Sequence, residues 1–249
     1  LSLHDALPIY GTAMTINEDP HMETEAGMCA SHRRVACTIA TSSHLGLAHC
    51  LADSFLQHHP NAVVFVLLVD SDRLPEGLDP RIIGLPITDL RVDALAAMRN
   101  RYSVFELCNA LKPSLLLHLL GIIDEDRILY LDSDLFIVDS LEDVAYDVLD
   151  EVAVLLTPHL RSVPPTDEGF IERDLAILRG GALNGGFVGV RRCAETDAIL
   201  RWWASRLESA GYHLPERGMN CDQRWLDLMP GFGAAVRVAH HPGLNVAFW

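Results

Sequence analysis

The sequence predicts an α/β fold: a mainly parallel, Rossmann-like central sheet flanked by helices on both faces. Three observations carry that expectation. Short, nearly unbroken apolar runs at residues 35–40, 62–69 and 127–131 have the composition of strands covered on both sides. Segments with apolar residues at helical spacing separate them, which is the alternation of a parallel sheet with crossover helices. The chain of 249 residues is 49% hydrophobic and 21% charged, ample for the core of one large domain.

The ends stand apart from that pattern. Residues 2–9 resemble the translation of a sequencing-library adapter and are set aside as foreign to the protein. Residues 10–34 are polar and irregular, with Asn17, Asp19, Pro20 and Gly27 as breakers. Residues 1–34 are therefore expected to be a non-native, disordered tail, and 35–249 the domain. Phe248 and Trp249 stop the chain inside an apolar stretch, so the domain is expected to be cut short at its C-terminus.

Taken in order, Val35–Ala40 reads as a strand, Thr41-Ser42-Ser43 as a polar turn and residues 45–58 as a helix. Residues 62–69 form the next strand, ending in Asp70, and complete a βαβ unit. Ser103 followed by Glu106 is a capping box, opening a helix whose buried stripe is Val104, Leu107, Cys108, Leu111, Leu115 and Leu119. Pro113 should kink or restart it. Residues 127–131 are a buried strand that ends in Asp132-Ser133-Asp134, with a further apolar run at 135–138. Residues 152–156, 187–190 and 236–239 read as strands, and 196–209, with Trp202, Trp203 and Leu207, as a helix. Pro164, Pro165, Thr166, Asp167, Glu168 and Gly169 mark a polar loop.

With 34 acidic against 19 basic residues, the formal charge of -15 argues against a nucleic-acid or anionic-lipid partner. A bound phosphate would need local help from a metal ion, a helix N-terminus or a lysine. The six cysteines are scattered with no metal-cage spacing and read as reduced thiols. No apolar run approaches the roughly 20 residues of a membrane span, and no secretion signal opens the chain. A cytoplasmic protein without an integral membrane segment is expected.

The strongest chemical signal is Asp132 and Asp134. In open α/β sheets, ligands bind beyond the carboxyl ends of the strands, where these residues emerge. Two carboxylates one residue apart can hold a hard divalent cation that bridges two phosphates of a nucleotide diphosphate and stabilises its departure. A D-x-D tripeptide also arises as an ordinary turn. Its place after an apolar strand, between runs that disfavour paired charge, favours the functional reading.

Thr41, Ser42 and Ser43 either cap the following helix or contact a nucleotide. Asp70 can accept ribose hydroxyls, although a strand-ending turn is preferred. Lys112, beside Pro113, is either an exposed lysine or a cation presented to the phosphates. Asn184-Gly185-Gly186 makes a tight turn or permits close substrate approach. Asp222 and Gln223 open a helix-like segment, where Asp also suits the dipole. His44, His58, His59 and His118 read as structural or surface residues, and Trp202 and Trp203 as aromatics of core and surface.

The run Arg127-Ile128-Leu129-Tyr130-Leu131-Asp132-Ser133-Asp134-Leu135 resembles the D-x-D segment of the retaining family 8 glycosyltransferases. Asn184-Gly185-Gly186-Phe187 resembles that family's Asn-containing turn before a strand, and Asp222-Gln223-Arg224-Trp225-Leu226 its Asp-Gln segment, in the family's order. The resemblance covers residue 35 to the end. It implies a GT-A fold, with Asp132 and Asp134 binding manganese or magnesium. It implies catalytic roles for Asn184, Asp222 and Gln223 around the donor sugar. Donor contacts are expected from Thr41, Ser42, Lys112, Ser133, Gly185 and Gly186. The family's later metal-binding histidine has one counterpart in spacing, His240 with Gly243, but no Lys-Pro follows.

By that resemblance the expected activity is transfer of a hexose from a nucleotide diphosphate sugar, uridine-linked, to a carbohydrate or other hydroxyl acceptor with retention. A sugar nucleotidyltransferase is the second reading, weakened because Thr41-Ser42-Ser43-His44 replaces a glycine-rich basic loop. The third is a noncatalytic nucleotide-binding fragment.

Overall fold

The computed structural model describes residues 33–71, 76, 78–163, 166 and 168–246. The expectations for residues 1–32 and for the end of the chain lie outside these residues, as do Pro164, Pro165 and Asp167. Arg33 and Arg34, read from sequence as tail, are tied to the domain through Glu125 and Glu142 respectively.

The chain begins with β1 (Val35–Ala40), α1 (Leu45–His58) and β2 (Val63–Leu68), as the periodicity predicts. β3 (Ile82–Pro86) and α2 (Leu95–Arg101) follow, then α3 (Val104–Ala110), α4 (Lys112–Ile122) and β4 (Arg127–Leu131). The second half holds β5 (Val154–Pro158), α5 (Glu168–Gly180), β6 (Leu183–Arg191) and α6 (Ala194–Ala210). A hairpin of β7 (His213–Leu214) and β8 (Met219–Asn220), then α7 (Gln223–Leu226) and β9 (Val236–Val238), complete it.

Seven strands form one sheet in the order β3-β2-β1-β4-β6-β5-β9. All neighbours are parallel except β6, which runs antiparallel to β4 and β5. Alternate residues of β1 feed two cores. Val35, Cys37 and Ile39 face α4 and α6, whose Leu115, Leu119 and fully buried Trp203 close that side. Ala36 and Ala40 face α1, through Leu51 and Phe55, together with Tyr146. Burial on both faces is why these strands read as unbroken apolar runs.

Several expectations need correction. β3 escaped notice because it is an edge strand containing Gly84 and Pro86, residues that obscure strand periodicity. Glu168 and Gly169, assigned to a loop, open α5. In the apolar run 135–138, Phe136 and Val138 stand exposed while Ile137 is buried. Val104, placed on the buried stripe of its helix, is 54% exposed. At the first position of α3 it points away from the sheet toward a crevice, whereas Leu107, one turn on, meets the core. The capping box forms as predicted: Ser103 N donates to Glu106 Oε2 at 2.8 Å, and Glu106 N donates to Ser103 Oγ at 3.3 Å. The helix breaks at Leu111 and restarts at Lys112, with Pro113 in the first turn of α4.

Candidate active site

The topology creates a crevice before any side chain is considered. After β1 the chain moves outward to β2 on one side and later returns to place β4 on the other, so the β1/β4 border is a switch point. β1 and β4 pair only from Val35↔Ile128 to Cys37↔Tyr130, and beyond that register they part. A cavity of about 660 Å³ opens there, lined among others by Ala40, Thr41, Asp70, Asp132, Ser133 and Asp134. Ser43 and His44 also line it, as do Val104 and Phe105 from α3.

The antiparallel direction of β6 brings its first residues to the same edge. Leu131 pairs with Phe187, and the next residue, Asp132, donates its N–H to Gly186 O at 2.9 Å. The family resemblance put Asn184-Gly185-Gly186 in a turn before a strand, but these residues lie inside β6, and neither glycine has positive φ. Their lack of side chains serves close approach instead. A Cβ on Gly185 would sit 2.5 Å from Asp222 Oδ2, and one on Gly186 would sit 2.9 Å from Asp132 Oδ2.

Lys112 joins these segments. The break between α3 and α4 lets it point inward, 2% exposed, with Nζ 3.2 Å from Asp132 Oδ1 and 3.1 Å from Asp222 Oδ2. Nζ also donates to Gly185 O at 3.0 Å and lies 5.0 Å from the centre of the Tyr130 ring. Tyr130 donates its hydroxyl to Asp132 Oδ1 at 2.8 Å. Burial opposes the lysine's charge, but Asp132 and Asp222 outweigh it and push the pKa up to about 12. For Asp222 the balance is reversed: burial raises its pKa, and one lysine shared between two carboxylates only partly offsets it. Lys112 is therefore neither an ordinary exposed lysine nor, here, a free cation awaiting phosphate.

Asp222 occupies the N-cap position of α7 yet makes no side-chain cap bond. Cys221 before it adopts φ 46, an uncommon left-handed conformation for a non-glycine residue, immediately ahead of the buried carboxylate. Gln223 spans two elements: Oε1 accepts the Gly185 N–H at 3.2 Å, and Nε2 donates to Gly180 O at 2.8 Å. Asn184 accepts the Gly186 N–H at 2.9 Å and donates to Asn245 Oδ1. A smaller cavity, about 130 Å³, is lined by Lys112, Asp132, Asp222 and Gln223, and shares Phe105, Asn109 and Asp132 with the larger one.

Of the predicted site residues, Asp132, Lys112, Asn184, Gly185, Gly186, Asp222 and Gln223 thus form one contact network. Thr41, Ser133 and Asp134 meet Asp132 along the larger cavity. Ser42 turns aside: its N–H and hydroxyl donate to Asp70 at 2.8 and 3.1 Å, and it is not part of the cavity wall. Thr41 makes no cap bond and instead pairs with Ser43 and His44. Asp70, for which the sequence slightly favoured a turn over a ribose contact, and His44, read as a structural or surface residue, both belong to the wall. Asp70 was findable from its place at a strand's carboxyl end. Phe105, Asn109 and Tyr130 gave no such sign, because their roles depend on how α3 meets β4.

Among the described residues, no group of three or more His, Cys, Asp or Glu side chains is arranged to hold a metal, and exposed His240 joins neither aspartate. The two-aspartate set still suits manganese or magnesium chemically. Asp134 is exposed, and the cradle a Cβ on Gly186 would fill leaves Asp132 Oδ2 uncrowded. Hard cations of this type accept a pair of protein carboxylates and take phosphate oxygens or water for the rest.

No protein-family model matches the chain, and the comparison with curated proteins finds no match. Among solved structures it is similar to the galactosyltransferase LgtC in complex with donor and acceptor sugar analogs. The TM-score is 0.53 at 17% identity, over 82% of this chain and 73% of that one. It is also similar to the glycosyltransferase GlyE of Streptococcus pneumoniae TIGR4, with TM-score 0.51 and 14% identity, over 84% of this chain and 45% of that one. The likeness defines the class of fold: a GT-A α/β domain resembling that of the family 8 glycosyltransferases, as expected from the sequence.

Proposed function

We propose that the chain is a metal-dependent glycosyltransferase that moves a hexose from a nucleotide diphosphate sugar, uridine diphosphate hexose, to an acceptor hydroxyl with retention. The carrying observation is the Lys112 bridge between Asp132 and Asp222, which gathers separate sequence blocks beside the switch-point crevice. The likeness to a galactosyltransferase seen with donor and acceptor sugar analogs supports the same reading.

Asp132 and Asp134 would hold manganese or magnesium, which when bound supplies positive charge against the departing diphosphate. Thr41 and Ser133 offer hydroxyls to the donor along the crevice wall. Gly185 and Gly186 let the sugar approach the backbone, and Lys112 holds the carboxylates of Asp132 and Asp222 at a fixed separation. In the transfer the anomeric carbon–oxygen bond to the diphosphate breaks as the acceptor oxygen bonds to the same carbon. The acceptor's proton leaves with the diphosphate. Gln223 and Asn184 line the reacting centre in this reading. Thiols free at Cys37, Cys50, Cys108, Cys193 and Cys221 suit the reducing cytoplasm.

The test is release of uridine diphosphate from a panel of uridine diphosphate hexoses with manganese. An Asp132→Ala, Asp134→Ala variant should lose the metal-stimulated rate by two orders of magnitude or more, roughly the worth of a principal charge-stabilising group. Undiminished release by that variant overturns the metal assignment. Pyrophosphate formed from a sugar phosphate and nucleotide triphosphate would favour a nucleotidyltransferase instead.

A further inference from the structure

Gln223 also lines a different cavity, of about 250 Å³, together with Arg173, Ile177, Gly181, His159 and Asn220. Its amide is held at both ends, to Gly185 N–H in β6 and to Gly180 O at the end of α5, so it stands between this cavity and the Lys112 cluster. A molecule in either space would meet the same side chain.

Arg173 supplies the charge here, in a protein whose net charge is -15. Among the described residues, its Nε and Nη2 atoms are buried without a hydrogen-bond partner. The neighbouring Asp174 Oδ1 forms an ion pair with Nη2 at 3.7 Å, too long for a hydrogen bond. The Phe170 ring, with its centroid 4.4 Å from the guanidinium carbon, braces one face of the group. Buried N–H donors without acceptors are costly, and the planar guanidinium fork matches an oxyanion in shape and charge.

The other polar groups on the wall are already engaged. Asn220 donates to Gly180 O at 3.0 Å and its Oδ1 meets His213 Nδ1 at 2.8 Å. His159 Nδ1 lies 2.9 Å from Gly181 O, an acceptor only, so that nitrogen carries the proton. Burial lowers its pKa, which disfavours the charged ring. Ala176 and Ile177 provide apolar surface suited to one face of a sugar ring.

We infer that this cavity is the acceptor subsite, and that the acceptor carries an oxyanion, carboxylate or phosphate, which Arg173 binds. The inference rests on the transferase reading. It places Gln223 where donor and acceptor meet and makes Arg173 the residue that selects the acceptor's charge.

The experiment has a binding arm and a turnover arm. Calorimetry with methyl glucuronide, methyl glucoside and glucose 6-phosphate tests the cavity without any reaction. Arg173→Gln removes the charge, and Arg173→Lys keeps the charge without the fork. The expected result is binding of one or both anionic sugars about 10- to 100-fold tighter than the neutral one, the range of a charged hydrogen bond. Arg173→Gln should lose that preference and Arg173→Lys keep part of it. Preference for the glucuronide alone identifies a carboxylate, and for the phosphate alone a phosphate ester. In the turnover arm the better anionic acceptor should show the same advantage in kcat/KM, and Arg173→Gln should lose that advantage. Equal binding of neutral and anionic sugars by the intact protein, or a preference that survives Arg173→Gln, overturns the subsite. Anion binding that depends on Arg173 without turnover of any nucleotide sugar would count against the transferase reading and leave the oxyanion site standing.

Discussion

Replacing Lys112 by methionine tests whether the buried ion bridge organises the site. The substitution keeps most of the side-chain volume and removes one charge that lies 3.1 Å and 3.2 Å from two carboxylate oxygens. Breaking a buried pair from one side costs about 3–5 kcal/mol, because the remaining charge is stranded. One feature holds the value near the lower limit: Asp132 is 37% exposed and regains water, so only Asp222, 3% exposed, is left stranded. A loss of about 3 kcal/mol in a domain of this size lowers Tm by roughly 6–12 °C. The decisive comparison is the double variant Lys112→Met, Asp222→Asn, in which the stranded carboxylate is neutral. It should recover at least half of the loss, measured by urea unfolding of all four members of the cycle. A loss below about 1 kcal/mol for Lys112→Met, or additive effects in the double variant, would refute the bridge.

Gly185→Ala drives a Cβ to 2.5 Å from Asp222 Oδ2, so it should cost about 1–3 kcal/mol and reduce donor turnover, whereas Gly46→Ala, with open space around it, should do neither. His59 accepts the Leu141 N–H on Nε2 at 3.1 Å, and burial lowers its pKa below the usual 6.5. Its unfolded form binds the proton more tightly, so stability is complete above pH 6.5 and falls as pH drops from there through the folded value. His59→Asn should flatten that slope in thermal melts between pH 7 and 5, though not abolish it, because burial also lowers His118 and His159. Ser103→Ala removes half of the capping box and should cost about 1 kcal/mol in urea unfolding, with no change in the metal dependence of donor turnover.

What could be read from sequence follows from how locally each feature is determined. β1, α1, β4 and the Ser103 capping box depend on patterns within a dozen residues, and the structure has them where periodicity and capping chemistry put them. β3 and α5 depend on context: one is an edge strand carrying glycine and proline, the other a helix entered directly from a polar segment. Exposure was harder than element type. Val104 fitted the helical stripe in spacing, yet at the first turn of α3 that stripe has already left the sheet.

The site divides in the same way. Asp132 and Asp134 were visible because a strand followed by acids is a local signal, and Asp222 with Gln223 because a resemblance pointed to them. Their connection was not visible, since no periodicity places residue 112 between residues 132 and 222. It needs three separate decisions of the fold: a helix break at Leu111, an antiparallel β6 in an otherwise parallel sheet, and a left-handed Cys221. The glycines show the same limit. Asn184-Gly185-Gly186 left a tight turn and close approach open in sequence, and only the tertiary contacts show that its glycines lie against carboxylates on distant segments. In this site, chemistry-bearing residue types were legible one by one, and the arrangement that lets them act together was a property of topology.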